Sequence, residues 1–108
     1  MTRDVTDAPD RTCVTLVHAE ACHFCTDAGE ALEELARSFT LDIRSVPANS
    51  DEGRALVAQH RPAMSPLVLL DGAFFSHGRL PRKKLTRLLE ARAAERVGAR
   101  RVGARRGN

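Results

Sequence analysis

Cys22 and Cys25 lie three residues apart where an apolar, β-branched run gives way to a helical repeat. Residues 13–18, Cys-Val-Thr-Leu-Val-His, suit a central strand buried on both faces. From Cys22 onward, Phe24, Ala28, Leu32, Leu35 and Phe39 recur at helical spacing, with Glu30, Glu33, Glu34 and Arg37 on the other faces. A C-x-x-C at such a helix start has a chemical logic. The first turn presents unpaired N–H groups and the positive end of the helix dipole, which favour thiolate over thiol. Cys22 is therefore the expected nucleophile. Cys25, nearly one turn further on the same side, is the expected resolving thiol.

The rest of the chain supplies a small alternating fold. Leu41 to Val46 alternates as an edge strand with one solvated face, before Pro47. Asn49 with Glu52 has the form of a capping box and opens a helix from Asp51 to His60, which Pro62 stops. Leu67–Leu70 and Ala73–Phe75 flank Asp71-Gly72, the pair a type I′ hairpin turn demands. Pro81 is placed as the first residue of a last helix with Leu85, Leu88, Leu89, Ala93 and Val97 on its apolar stripe. The order βαβαββα, with right-handed crossovers, predicts an α/β domain. Its four-stranded mixed sheet has the first two strands parallel and is flanked by three helices on both faces.

Residues 13–96 are read as that domain. Residues 1–12 are expected to be a poorly ordered N-terminus, and residues 97–108 a basic disordered tail. The tail carries Val-Gly-Ala-Arg-Arg twice in tandem, too polar and glycine-rich to pack. The net charge of +3 hides an asymmetry: residues 1–52 hold four basic and eleven acidic side chains, residues 53–108 thirteen and three. The two halves can neutralise each other in a fold, and a solvated terminus accounts for the tail, so nucleic acid is not an expected partner. No apolar run approaches the roughly 20 residues that span a bilayer, and the acidic, polar N-terminus is unlike a signal peptide. A soluble, cytoplasmic monomer without membrane attachment is expected.

Three cysteines are too few for a disulfide-stapled scaffold, so the pair reads as redox-active or metal-binding. Zinc wants four ligands, and the candidates are His18, His23 and Cys13. On one strand Cys13 would stand about 17 Å from His18. His23 would point away from the shared side of the two thiols. No metal is therefore expected, and Cys13 is read as a small buried core residue. An imidazolium at His23 would stabilise the thiolate of Cys22 and make the disulfide more oxidising, whereas an exposed His23 would do little. His18 is expected to be a hydrogen-bonded structural residue, and His77 to line the rim of the site.

Cys22-His23-Phe24-Cys25 between strand and helix, then Met64-Ser65-Pro66 entering Leu67–Leu70, then Gly78 before the last helix, resembles the glutaredoxin family of the thioredoxin superfamily. The resemblance spans residues 13–94 and implies a thioredoxin-like fold. It further implies a cis Pro66 facing the dithiol, with the backbone of Ser65 offered to the substrate. Here His23-Phe24 replaces the usual Pro-Tyr, Pro-Phe or Gly-Tyr, and His77-Gly78-Arg79 stands where a glycine pair and an acid usually contact glutathione.

The expected activity is thiol-disulfide exchange on protein or small-thiol disulfides, catalysed by Cys22 and Cys25. His23, Phe24, Ser65, Pro66 and Gly78 are the expected substrate-binding residues. No cofactor is expected to be bound; glutathione, another low-molecular-weight thiol or a reductase would supply electrons. The alternative is a binding module of the same fold, for a metal or a protein, without redox turnover.

Overall fold

The structure is a computed structural model that describes the backbone of residues 11–106 and the side chains of residues 11–95. Its elements run β1 (Thr12–His18), α1 (His23–Leu35), β2 (Leu41–Pro47), α2 (Asp51–His60), β3 (Leu67–Leu70), β4 (Ala73–His77) and α3 (Arg82–Arg106). The strands form one sheet in the order β2-β1-β3-β4. β1 runs parallel to β2 through seven residue pairs and antiparallel to β3, and β3 runs antiparallel to β4. The crossover through α1 makes the first pair parallel, and the tight Asp71-Gly72 turn makes the last antiparallel. Both turn residues have positive φ, 50° and 85°, as a type I′ turn requires.

The two central strands are the most apolar. All four residues of β3 are buried, as are Val14, Leu16 and Val17 of β1. On one face Val17, Val46, Leu67 and Leu69 form a cluster against which Ala48 and Leu56 pack, so α2 covers that face. α1 lies over the opposite face. It buries Cys25, Ala28, Ala31 and Leu32, while Leu35 and Phe39 are only half-buried and Phe24 is exposed.

The start of α2 differs from the expectation. Ser50, not Asn49, is the cap: its Oγ accepts the N–H of Gly53 at 3.0 Å and donates to Pro47 O at 2.6 Å. The backbone of α2 approaches β2 so closely that a Cβ on Gly53 would run into Pro47 O, and this places Ser50 opposite the orphan amide. Glu52 does not reach back to the cap. It takes Nη2 of Arg44 on both carboxylate oxygens, at 2.7 and 2.8 Å, and its hydrogen bond and charge raise the pKa of Arg44. Arg61, at φ 49°, ends the helix ahead of Pro62.

β1 begins at Thr12, and α3 continues through Arg106, across the stretch of the tandem repeat expected to be disordered. Alanine and arginine are among the strongest helix formers, whereas each glycine costs a helix roughly 1 kcal/mol relative to alanine. Within α3, Leu85 and Leu89 are buried. Residues 1–10 and the last two of the tail lie outside the described residues. Among the described residues no helix is long and apolar enough to cross a membrane.

Cys13 is not a core residue. It is half-exposed at the far end of β1, where its N–H donates to Asp71 Oδ1 at 2.9 Å and its carbonyl accepts the N–H of Asp71 at 2.7 Å. It ties β1 to the hairpin turn.

Candidate active site

The chain leaves β1 at His18 and turns through Ala19–Ala21 into α1. Ala21 adopts φ 50°, a left-handed conformation that costs a non-glycine residue about 1–2 kcal/mol. The turn sets Cys22 as the N-cap of α1, with extended backbone at φ −114° and ψ 109°. Its Sγ accepts the backbone N–H of Cys25 at 3.1 Å. Its carbonyl accepts the N–H of Thr26 at 3.1 Å, closing the first helical turn. The Cα atoms of Cys22 and Cys25 are 5.1 Å apart and the two cysteines form a disulfide.

The sulfurs have unequal surroundings. Cys22 is half-exposed, whereas Cys25 is 7% exposed and its Sγ accepts the N–H of Ala19 at 3.5 Å. Cys22 is therefore the more accessible of the two cysteines. Charge developing on Cys22 Sγ would sit at a helix N-terminus with an amide already aimed at it.

A second segment closes over the pair. The Ser65–Pro66 peptide is cis, and Ser65 O lies 3.9 Å from Cys22 Sγ. Pro66 is buried and its carbonyl accepts the N–H of Gly78 at 2.9 Å. Gly78 has φ 73°, a conformation that favours glycine, and a Cβ there would displace the Met64 side chain slightly, from 3.2 Å at Sδ. Ser65 is thus brought to Cys22, and the next residue, Pro66, is joined to Gly78, both of them buried. His23 and Phe24 are exposed in the first turn of α1, and Phe24 keeps 39% of its surface open. Its place in the helical repeat is not a core position.

One opening holds the dithiol and another begins at Ser65. A cleft of about 300 Å³ is lined by His18, Ala19, Cys22, Cys25, Thr26 and Ser45, among others. His18 therefore stands beside the sulfurs, while its carbonyl accepts the N–H of Ala48 at 2.8 Å. A larger groove of about 510 Å³ runs from Ser65 along Met64, Ala63 and Pro62 to Val57 and Arg54. Met64 and Val57 are 52% and 36% exposed. This apolar wall was not foreseen; its sequence signal is a methionine in a polar loop next to the proline.

His77 is exposed and holds the loop that lines this groove. Its Nδ1 accepts the N–H of Ala63 at 2.8 Å, and its ring meets Phe74 edge-on at 5.7 Å between centroids. Among the described residues no group of three or more His, Cys, Asp or Glu side chains comes together as metal ligands do.

The fold is thioredoxin-like. A mutant thioredoxin from Halobacterium salinarum superposes with a TM-score of 0.59 and 24% identity, over 82% of this chain and 79% of that one. No family's sequence model and no curated protein matches the chain.

Proposed function

We propose that the protein is a glutaredoxin-like thiol-disulfide oxidoreductase in which Cys22 attacks and Cys25 resolves. The observation that carries this reading is the asymmetry of the pair: the accessible sulfur sits on the helix cap beside Ser65 O, and the shielded one lies behind it. In the reducing direction the Cys22 thiolate attacks one sulfur of a substrate disulfide. The S–S bond breaks, and the other substrate sulfur leaves as a thiolate and takes a proton from solvent. Cys25 then loses its proton and attacks Cys22 Sγ, expelling the second substrate thiol. Two electrons have passed to substrate, leaving the Cys22–Cys25 disulfide.

The exposed His23 and Phe24 and the half-exposed Ser65 would meet the substrate, and Pro66 and Gly78, both buried, would support Ser65 through their mutual hydrogen bond. Glutathione, another low-molecular-weight thiol or a reductase would return the pair to the dithiol. The chain would work as a cytoplasmic monomer. The test is to trap the mixed disulfide. Cys25→Ser, incubated with a small disulfide, should accumulate one adduct on Cys22 by intact mass and peptide mapping, and Cys22→Ser should accumulate none at Cys25. Equal labelling of both variants would contradict the assigned roles.

A further inference from the structure

β4 carries an irregularity in its pairing with β3. Leu67 pairs with His77 and Val68 with Ser76, but Leu69 pairs with Phe74, so Phe75 is an extra residue in β4. Side chains on a regular strand alternate, and residues three apart point to opposite faces. The extra residue cancels that alternation. It puts His77 on the same face as Phe74, where the two rings meet, and where His60 of α2 lies 6.4 Å from Phe74 by centroid.

So placed, His77 reaches Ala63 N–H with Nδ1, and the next residue, Gly78, donates its N–H to Pro66 O. Two adjacent residues thus hold the loop on both sides of Met64 and Ser65. Between these two attachments lies the carbonyl of Ser65 that faces Cys22 Sγ at 3.9 Å. The Gly78 attachment is backbone to backbone and does not titrate. The His77 attachment requires an unprotonated Nδ1, with the ring proton on Nε2.

We propose that His77 is a positioning residue for disulfide exchange: it clasps the loop that presents Ser65 to the substrate, and it releases that loop when protonated. This rests on the oxidoreductase reading of the same site. On acidification both ring nitrogens become donors and Nδ1 turns an N–H toward the N–H of Ala63. The hydrogen bond is lost, and the groove beside Met64 loses its fixed edge. The titratable and charged groups near His77 come from α2 and from the two loops, and Arg54 lines the same groove as Ala63. β3 places the apolar Leu67 opposite it, α2 contributes His60 across Phe74, and Arg61 and Arg79 flank the loop and Gly78 in sequence.

The experiment compares wild type, His77→Ala and His77→Asn, since the Asn amide oxygen can stand where Nδ1 does and does not titrate. Two readouts are taken: amide hydrogen exchange at Ala63 at pH 7.5, and KM and kcat for insulin disulfide reduction from pH 7.5 to 5.5. A hydrogen bond of this kind corresponds to about a fivefold effect. His77→Ala should exchange Ala63 about fivefold faster and raise KM by a similar factor, with kcat within twofold. His77→Asn should match wild type at pH 7.5 and keep its KM on acidification, while wild type moves toward His77→Ala. Unchanged exchange at Ala63 in His77→Ala, or the same pH dependence of KM in wild type and His77→Asn, would overturn the proposal. Exchange at Ala63 reads the clasp even if insulin is not reduced, so failure of the oxidoreductase reading would show separately.

Discussion

Cys22 Sγ accepts the backbone N–H of Cys25 at 3.1 Å, so the spacing of the dithiol is also the spacing of a helix cap. An N-cap side chain satisfies the amide two or three residues on, and the residue three on is here the second cysteine. The helix needs an acceptor at residue 22, and thiol chemistry needs that acceptor to be sulfur.

The two demands separate by mutation. Among reduced proteins, Cys22→Ser keeps an acceptor at the cap and should unfold in urea at the wild-type midpoint while losing all exchange activity. Cys22→Ala removes the acceptor and should lose about 1 kcal/mol. Equal stability of the two variants would show that the cap contributes nothing.

Gly53 and Gly29 are both helical glycines with opposite expectations. A Cβ on Gly53 runs into the backbone of Pro47 and Ala48, whereas one on Gly29 meets nothing within 4 Å. Gly53→Ala should lower stability by about 1–3 kcal/mol through overpacking. Gly29→Ala should raise it by up to about 1 kcal/mol through helix propensity. Urea midpoints of both variants check the contrast.

The Arg44–Glu52 pair joins β2 to α2 in good geometry, yet both side chains are about half exposed. Exposed pairs are screened by water and salt. Glu52→Gln should leave the thermal midpoint unchanged within error at physiological ionic strength. A clear fall would mean that the pair fixes the α2 start more firmly than Ser50 does.

Cys13 lies at the opposite end of β1 from the dithiol, paired through its backbone with Asp71. Cys13→Ser should leave the Cys22–Cys25 reduction potential unchanged. A redox titration of the variant would contradict this placement if the potential moved.

Much of this fold was legible because its decisive signals are local. Asp71-Gly72 demands a turn that only positive φ satisfies, and the apolar, β-branched run at residues 13–18 marks a central strand buried on both faces. The dithiol was legible for the same reason, since the cap and the cysteines share one turn. Features set by tertiary approach were not. Ser50 displaced Asn49 as the cap because α2 presses on Pro47, a contact no local pattern encodes. Phe24 fits the apolar repeat of α1 but keeps 39% of its surface exposed in the first turn, because nothing among the described residues packs over that end of the helix face. The clasp of His77 depends on one extra residue in β4, and an alternating pattern of five residues cannot reveal a shift of register.

The most direct test of the dithiol is to equilibrate the purified protein across a dithiol redox buffer series and to read the thiols by alkylation and intact mass, with zinc assayed on the same sample. The expected result is one reversible two-electron transition assigned to Cys22 and Cys25, without stoichiometric zinc, while Cys13 stays alkylatable throughout. Thiols that never pair, or a zinc ion bound per chain, would contradict the oxidoreductase and point to a binding module on the same fold.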